Sequence, residues 1–321
     1  MKKIAVLADY LEPSHHALID STAARCGFAV DYYPDCRVPA ELAGTYEVVH
    51  GMPKPGDLKA FTGMKWFCGS FAGVDAYLDD ALYPSPEVML SNSSGTYGVT
   101  IAEHLIMVTL MLLRHAPAYL HHADTHRWGP VMPMHSLIGS TITVLGTGDI
   151  GTEFARRAKA MGAKAIRGVR RTKKAADPAF DGVFTHEELD SLLPDTDILV
   201  MALPSTADTV GILSRDRIAL LPETAYVINV GRGTAIDQPA LVEALNAGKL
   251  AGAALDVFEK EPIPASDPVW DAKNLLITPH ISGQMSLGYT RGKNVALFCE
   301  DLENYAAGRP LKRYVDRKIG Y

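Results

Sequence analysis

Residues Thr141 to Thr172 read TITVLGTGDIGTEFARRAKAMGAKAIRGVRRT, and they narrow the possible architecture more than any other stretch. Thr141 to Leu145 alternates β-branched and apolar residues and stops at glycine, the pattern of a buried strand. Gly146-Thr147-Gly148-Asp149-Ile150-Gly151 follows at once and leads into a helical pattern from Glu153 to Met161. A second apolar run, Ala163 to Val169, closes a strand–helix–strand unit. Gly146 permits the tight turn, Gly148 lets backbone N–H groups approach a pyrophosphate, and Gly151 lets the helix pack on the strand. The unpaired N–H groups and positive dipole end of that helix favour an anion beside Asp149 and Ile150. Glycine-rich turns are common, but a strand before and a helix and strand after make this one a dinucleotide site.

The dinucleotide is readable as well. An NAD site usually carries an acidic residue at the end of the second strand, accepting bonds from the ribose hydroxyls. Here Gly168-Val169 occupies that place, followed by Arg170-Arg171-Thr172-Lys173-Lys174. A carboxylate would repel a 2′-phosphate, whereas a planar guanidinium binds it in a fork. A solvated basic turn is the ordinary alternative. The missing acid and the immediate arginines predict NADP(H), with NAD accommodated.

A chain of 321 residues has room for two domains, and 47% hydrophobic with 21% charged residues is ordinary for a globular protein. A net charge of −6 argues against nucleic acid as the main partner. Cys26, Cys36, Cys68 and Cys299 are scattered, with no metal spacing, and read as reduced cytosolic thiols. Met1-Lys2-Lys3 before Ile4–Ala8 imitates a signal peptide, but Asp9 ends the apolar run too early, so a first strand is expected. Leu105 to Leu113 is too short to span a bilayer. No targeting signal or membrane partner is predicted, and the cytoplasm is the expected location.

Before the glycine-rich unit, strand-like runs at Ile4–Ala8, Phe28–Tyr33, Val48–Gly51, Lys65–Cys68 and Val88–Leu90 alternate with helical or loop segments. Such alternation predicts an α/β fold with a parallel sheet covered on both faces. Gly69-Ser70-Phe71-Ala72-Gly73-Val74-Asp75 reads as a turn between strand and helix; its consecutive N–H groups suit a carboxylate, or merely connect. An apolar helix from about Val99 to Leu113 should be buried or lie in a subunit interface. His122 and His126 have helical metal spacing, but nothing completes a ligand set, so no metal is predicted. Later strands are predicted at Asp197–Leu203, Ala225–Val230, Gly252–Val257 and Leu275–Thr278, and a long helix from about Met285 to Ala307.

Ligands of an open α/β sheet bind at the carboxyl ends of its strands. Arg232, Asp256, Glu261 and His280 all lie just past such ends and should converge. Hydride transfer to a carbonyl needs a proton donor, and histidine titrates near neutrality. A neighbouring carboxylate stabilises imidazolium and fixes the ring tautomer, which suits Glu261 beside His280. Arg232 can hold a substrate carboxylate and polarise the adjoining carbonyl. Taken singly, His280 could be a core histidine, Glu261 a helix N-terminal carboxylate and Arg232 a loop cation; beside a hydride cofactor the three together favour catalysis.

With these residues in view, the chain resembles the D-isomer-specific 2-hydroxy acid dehydrogenases over essentially its whole length. The resemblance rests on Phe71–Asp75, Ala102-Glu103, Val144–Gly151, Leu203-Pro204, Asn229–Gly233, Asp256–Pro262 and Pro279–Gly283. It implies a catalytic arginine at Arg232, an assisting glutamate at Glu261 and an acid/base at His280. It also implies carboxylate-binding amides at Ala72, Gly73 and Val74, and a nicotinamide-carboxamide contact at Asp256. Further cofactor contacts are implied along Leu203, Pro204, Val230, Gly231, His280, Ser282 and Gly283.

The fold so implied is two Rossmann-like or flavodoxin-like doubly wound parallel-sheet domains with a cleft between them. Residues 1–97 and 284–321 would form a discontinuous substrate domain, and 98–283 the dinucleotide-binding domain. A homodimer through the helix after Gly98, and hinge closure over the cleft, are implied too. Gly168-Val169-Arg170-Arg171 looks closest to the glyoxylate/hydroxypyruvate reductase branch, which often uses NADPH. The resulting expectation is NAD(P)H-dependent reduction of a 2-oxo acid to a D-2-hydroxy acid. The rival is a corepressor-like protein that senses NAD(P)H without significant turnover. Aromatic residues at 10, 71, 97 and 128, with Met285, could shape the substrate pocket or fill space.

Overall fold

The computed structural model describes residues 1–173 and 177–320; Lys174, the last of the basic run, and Tyr321 lie outside the described residues. The chain divides into two compact units, Met1–Tyr97 with Gln284–Tyr321, and Gly98–Gly283.

The first unit is built on five parallel strands: β1 (Lys2–Leu7), β2 (Phe28–Tyr32), β3 (Val48–Gly51), β4 (Trp66–Gly69) and β5 (Met89–Ser91). Their order is β2-β1-β3-β4-β5, the flavodoxin-like winding. Alternation along β1 divides its apolar side chains between two cores. Ile4 and Val6 pack with Ile19, Trp66, Phe298 and Leu302 under the helices Pro13–Arg25 and Gly288–Ala306. Ala5 and Leu7 pack with Tyr46, Val49, Leu58 and Phe67 on the other face. The last helix thus returns to cover the first sheet.

The second unit holds seven parallel strands: β6 (Thr141–Leu145), β7 (Ala165–Val169), β8 (Gly182–Phe184), β9 (Ile198–Met201), β10 (Tyr226–Asn229), β11 (Gly252–Leu255) and β12 (Leu275–Ile277). The order β12-β11-β10-β9-β6-β7-β8 is the dinucleotide-fold winding extended by one strand, and it reverses between β6 and β9. The glycine-rich turn leaves β6 at that reversal. Gly146 has φ +103°, and a Cβ on Gly151 would stand 1.9 Å from the Gly146 carbonyl oxygen. The turn therefore closes only with glycine at both places. The helix behind it runs Asp149–Ala160, starting four residues before the apolar pattern does, because its first turn is the glycine motif itself. It packs against the helix Gly98–Leu113, where Gly98 N donates to Asp149 Oδ2 at 2.7 Å.

One expectation is corrected and one alternative falls away. The turn after β4 leads into a single 3₁₀ turn, Asp75–Tyr77, rather than an α-helix. Glu261 caps no helix: residues 259–262 are bends. Among the described residues no single helix is long and apolar enough to cross a bilayer. Gly98–Leu113 and Ala116–Asp124 would reach that length only together, and they bend by 66°.

Candidate active site

The second unit gathers its polar side chains past the ends of β10, β11 and β12. After β10 the chain turns at Asn229, whose carboxamide accepts from Gly231 N at 2.9 Å and donates to the Arg232 carbonyl at 2.9 Å. That clamp fixes the backbone from which the half-buried Arg232 projects, and Arg232 Nη1 donates to the Gly231 carbonyl at 2.7 Å. Gly233 presses on the next loop so closely that a Cβ would stand 1.9 Å from the Phe258 carbonyl carbon. The arginine loop and the Glu261 loop are therefore in backbone contact.

Glu261 is held at both oxygens. Oε1 accepts from Phe258 N at 2.9 Å, and Oε2 lies 2.7 Å from His280 Nδ1. A carboxylate can only accept, so Nδ1 carries the proton and Nε2 is the ring nitrogen turned away from Glu261. The His280 and Glu261 side chains are 54% and 35% exposed, which separates His280 from the core histidine it could have been.

His280 sits at φ +51°, a left-handed conformation that residues other than glycine adopt at a cost. Asp256 holds it there. The Asp256 carbonyl accepts His280 N at 2.9 Å, while its carboxylate accepts Thr278 Oγ1 at 2.6 Å, Ile281 N at 2.9 Å and Ser282 N at 3.0 Å. Burial alone would push this carboxyl up, but hydrogen bonds from Ser282, Thr278 and the Ile281 amide outweigh it and hold the group below its ordinary 3.8. Thr278 Oγ1 also lies 3.4 Å from His104 Nε2, and burial lowers the His104 imidazole below its ordinary value.

The remaining candidates in this unit line the reversal of the sheet. Gly148 caps its helix with no side-chain hydrogen bond, and a Cβ there would meet nothing within 4 Å. The Asp149 carboxylate accepts from Gly98 N at 2.7 Å. Ile150 is half-buried beside the buried Gly151. A Cβ on Gly231 would stand 2.7 Å from Leu203 N, which brings Val230-Gly231 against Leu203-Pro204. Past β7, Arg170 N donates to the Phe184 carbonyl at 3.0 Å, and Arg171 and Thr172 are exposed. Three acids of that region are ion-paired: Asp177 with Arg156, Asp181 with Lys159 at 2.9 Å, and Glu188 with Lys173 at 2.8 Å. Gly283 ends the unit, half-buried, after the buried Ser282.

Ala72, Gly73 and Val74 belong to the first unit, in the loop after β4. Its carbonyls are turned inward: Gly69 O accepts Ser93 Oγ at 2.8 Å, Ser70 O accepts Tyr97 Oη at 2.6 Å, Phe71 O accepts Ser93 N at 2.9 Å, and Ala72 O accepts Asn92 Nδ2 at 2.7 Å. Among the described residues, none of the N–H groups of Ala72, Gly73 and Val74 donates to an acceptor in the chain. Asn229, Thr278, Asn92 and Ser93 carried no site role in the sequence-based expectations. Asn229 and Thr278 had a signal, a polar side chain at the end of an apolar strand.

A doubly wound sheet with a histidine–carboxylate pair and an arginine past its strand ends defines a dinucleotide-type oxidoreductase unit. Comparison with known proteins agrees. Residues 106–282 match the family model described as D-isomer specific 2-hydroxyacid dehydrogenase, NAD binding domain. Glyoxylate/hydroxypyruvate reductase A of Escherichia fergusonii is 32% identical over 257 residues, 78% of this chain and 80% of that protein. Among solved structures, a D-isomer specific 2-hydroxyacid dehydrogenase family protein from Aeromonas salmonicida is 30% identical with a TM-score of 0.85, covering 98% of this chain and 99% of its own. An NADPH-dependent glyoxylate/hydroxypyruvate reductase from Sinorhizobium meliloti, solved with NADP and sulfate, is 27% identical with a TM-score of 0.81 and full coverage of both chains. The chain belongs to the D-isomer specific 2-hydroxyacid dehydrogenases.

Replacing Asp256 by asparagine should destabilise the protein by roughly 1–3 kcal/mol, because an amide nitrogen would face N–H donors it cannot accept from. Urea unfolding reads this; a change below about 0.5 kcal/mol would argue against the role given to Asp256. The folded-state pKa is lowered, so the carboxylate's contribution is present above the ordinary 3.8 and is lost as the pH falls through the lowered value. The wild type should therefore keep its advantage over Asp256→Asn at neutral pH and lose it only below about pH 4.

Proposed function

We propose that this chain reduces a small 2-oxo acid to its D-2-hydroxy acid with NADPH, and accepts NADH less well. The observation that carries the reading is the Glu261–His280 contact at 2.7 Å, next to the Arg232 loop, in a member of a dehydrogenase family. The Escherichia fergusonii relative, named a glyoxylate/hydroxypyruvate reductase, supports glyoxylate and hydroxypyruvate as the substrates to test first. These relatives, all reductases or dehydrogenases by name, do not favour the sensing, corepressor-like alternative.

The residues present fit a dinucleotide. The open space at Gly148 and the uncapped first turn of the Asp149–Ala160 helix suit a pyrophosphate, with Gly146 and Gly151 shaping the turn. Arg170, Arg171 and Thr172, past the end of β7 where an acidic residue would otherwise meet the ribose, would hold a 2′-phosphate. Leu203, Pro204, Val230 and Gly231 would line its path, with Asp256, Ser282 and Gly283 toward the nicotinamide. When bound, the cofactor supplies a hydride. His280 Nε2 delivers the proton that the reduced carbonyl oxygen needs, and Glu261 keeps the opposite nitrogen protonated and the ring oriented. Arg232 binds the substrate carboxylate and polarises the carbonyl, while the amides of Ala72, Gly73 and Val74 are the first unit's donors to a carboxylate.

We also propose a homodimer through the Gly98–Leu113 helix, and a cytoplasmic location. Met107 is 46% exposed on an otherwise largely buried helix, and the fully exposed Trp128 borders a groove of about 760 Å³ lined by Tyr119, His122 and Arg127. The four unbridged cysteines suit a reducing compartment.

Three outcomes are expected. His280→Ala or Arg232→Ala should lower kcat/KM by about 10²–10⁴-fold while NADPH binding by fluorescence survives; near-normal turnover in either would refute the assignment. Arg170→Ala with Arg171→Ala should raise KM for NADPH at least roughly tenfold and leave that for NADH nearly unchanged. Sedimentation should give the mass of two chains, and Met107→Glu should shift it toward one; a monomeric wild type would end the dimer proposal.

A further inference from the structure

The loop proposed to hold the substrate carboxylate is braced by a buried polar chain that starts and ends in the loop itself. Tyr10 Oη lies 2.6 Å from Ser70 Oγ and 2.9 Å from Asn294 Oδ1. A carboxamide oxygen can only accept, so the single phenolic proton goes to Asn294, and Ser70 donates its own proton to Tyr10. Asn294 Nδ2 donates to Ser93 Oγ at 2.6 Å, and Ser93 Oγ donates to the Gly69 carbonyl at 2.8 Å. The donor order Ser70, Tyr10, Asn294, Ser93, Gly69 is thus fully determined. Ser70, Ser93 and Asn294 are 0%, 3% and 1% exposed. Burial pushes the Tyr10 phenol up, so it stays protonated and the order persists across the physiological range.

An apolar cluster would fill this volume without the desolvation that such groups incur. What the polar chain adds is direction. Together with Tyr97 on Ser70 O, Ser93 N on Phe71 O and Asn92 on Ala72 O, it holds the carbonyls of residues 69–72 inward; the amides of Ala72 and Gly73 lie trans to the Phe71 and Ala72 carbonyls and so face the other way, while the Ser70 amide stays on the Gly51 carbonyl at 2.9 Å. Asn294 lies on the Gly288–Ala306 helix, 201 residues from Ser93. The returning helix therefore completes the brace that aims the loop.

We infer that Tyr10, Ser93 and Asn294 are positioning residues for substrate-carboxylate binding, acting through the backbone of residues 69–74. The inference rests on the proposed reading of that loop as the carboxylate site. It concerns binding of the acid and not transfer of the hydride, so its signature is a change in KM with kcat kept.

The test uses the full chain with NADPH bound. Tyr10→Phe and Ser93→Ala each delete one hydroxyl, and Asn92→Ser, at the edge of the same set, stands in should either fail to fold by thermal melt. For each, KM and kcat are measured with glyoxylate, and the Kd of oxamate, an unreactive 2-oxo acid mimic, is measured by calorimetry. The expected result is a roughly tenfold rise in both KM and Kd, with kcat within about twofold and NADPH affinity unchanged. Folded variants that keep wild-type KM and Kd, or that lose kcat at constant KM, overturn the inference while the proposed function stands. A wild type that binds oxamate in a hydroxyl-dependent way but reduces no 2-oxo acid overturns the proposed reaction and supports the brace. A wild type that does neither overturns both.

Discussion

The buried carboxylate of Asp256 is the interaction on which the rest of the second unit's site depends. It accepts from Thr278, Ile281 and Ser282, and its own carbonyl accepts from His280, so every residue from 278 to 282 except Pro279 is tied to it. That tie, with the Thr278 carbonyl also 3.0 Å from His280 N, holds the turn in which His280 takes its left-handed conformation and its ring meets Glu261. The order of causes runs from a buried acid at a strand end, to a strained turn, to an oriented imidazole.

The two sheets supply the framework by different means. In the second unit, close backbone approaches do the joining: Gly146 on Ala202, Gly231 on Leu203 and Gly233 on Phe258 bring four strand-end loops within van der Waals contact. Side chains at those places would push the loops apart by more than such contacts tolerate. In the first unit, polar side chains do the corresponding work, since the loop after β4 hangs on hydroxyls and carboxamides from β5's loop and from the last helix. Backbone contact gives proximity; side-chain hydrogen bonds give orientation as well.

The strands were legible because parallel strands covered on both faces become continuous apolar runs, as at Val48-Val49 and Ile198–Met201, where every residue is buried. β8 was not, being three half-buried residues at the sheet edge with no apolar run to mark it. The helix after the glycines starts earlier than its apolar pattern because Asp149 to Gly151 serve as turn and first helical turn at once. The proximity of Glu261 and His280 could be argued from two strand ends. Their holders could not, because the Phe258 amide carries no side-chain signal. Asn294 was equally hidden, since it meets Ser93 only once the chain has returned from the other unit.

Magnitudes show why the His280–Glu261 arrangement is not there for stability. An ion pair with both members this exposed contributes about 0–1 kcal/mol, and often nothing measurable. Holding a residue other than glycine in the left-handed region costs on the order of 1–3 kcal/mol. The balance of those two terms is unfavourable or near zero, and it is met by buried hydrogen bonds to Asp256 that would serve as well around a simpler turn. A chain under selection for folding alone would place glycine or asparagine at this position and relax the turn. Histidine at that φ, with one nitrogen committed to a carboxylate, makes physical sense where the other nitrogen has a proton to deliver.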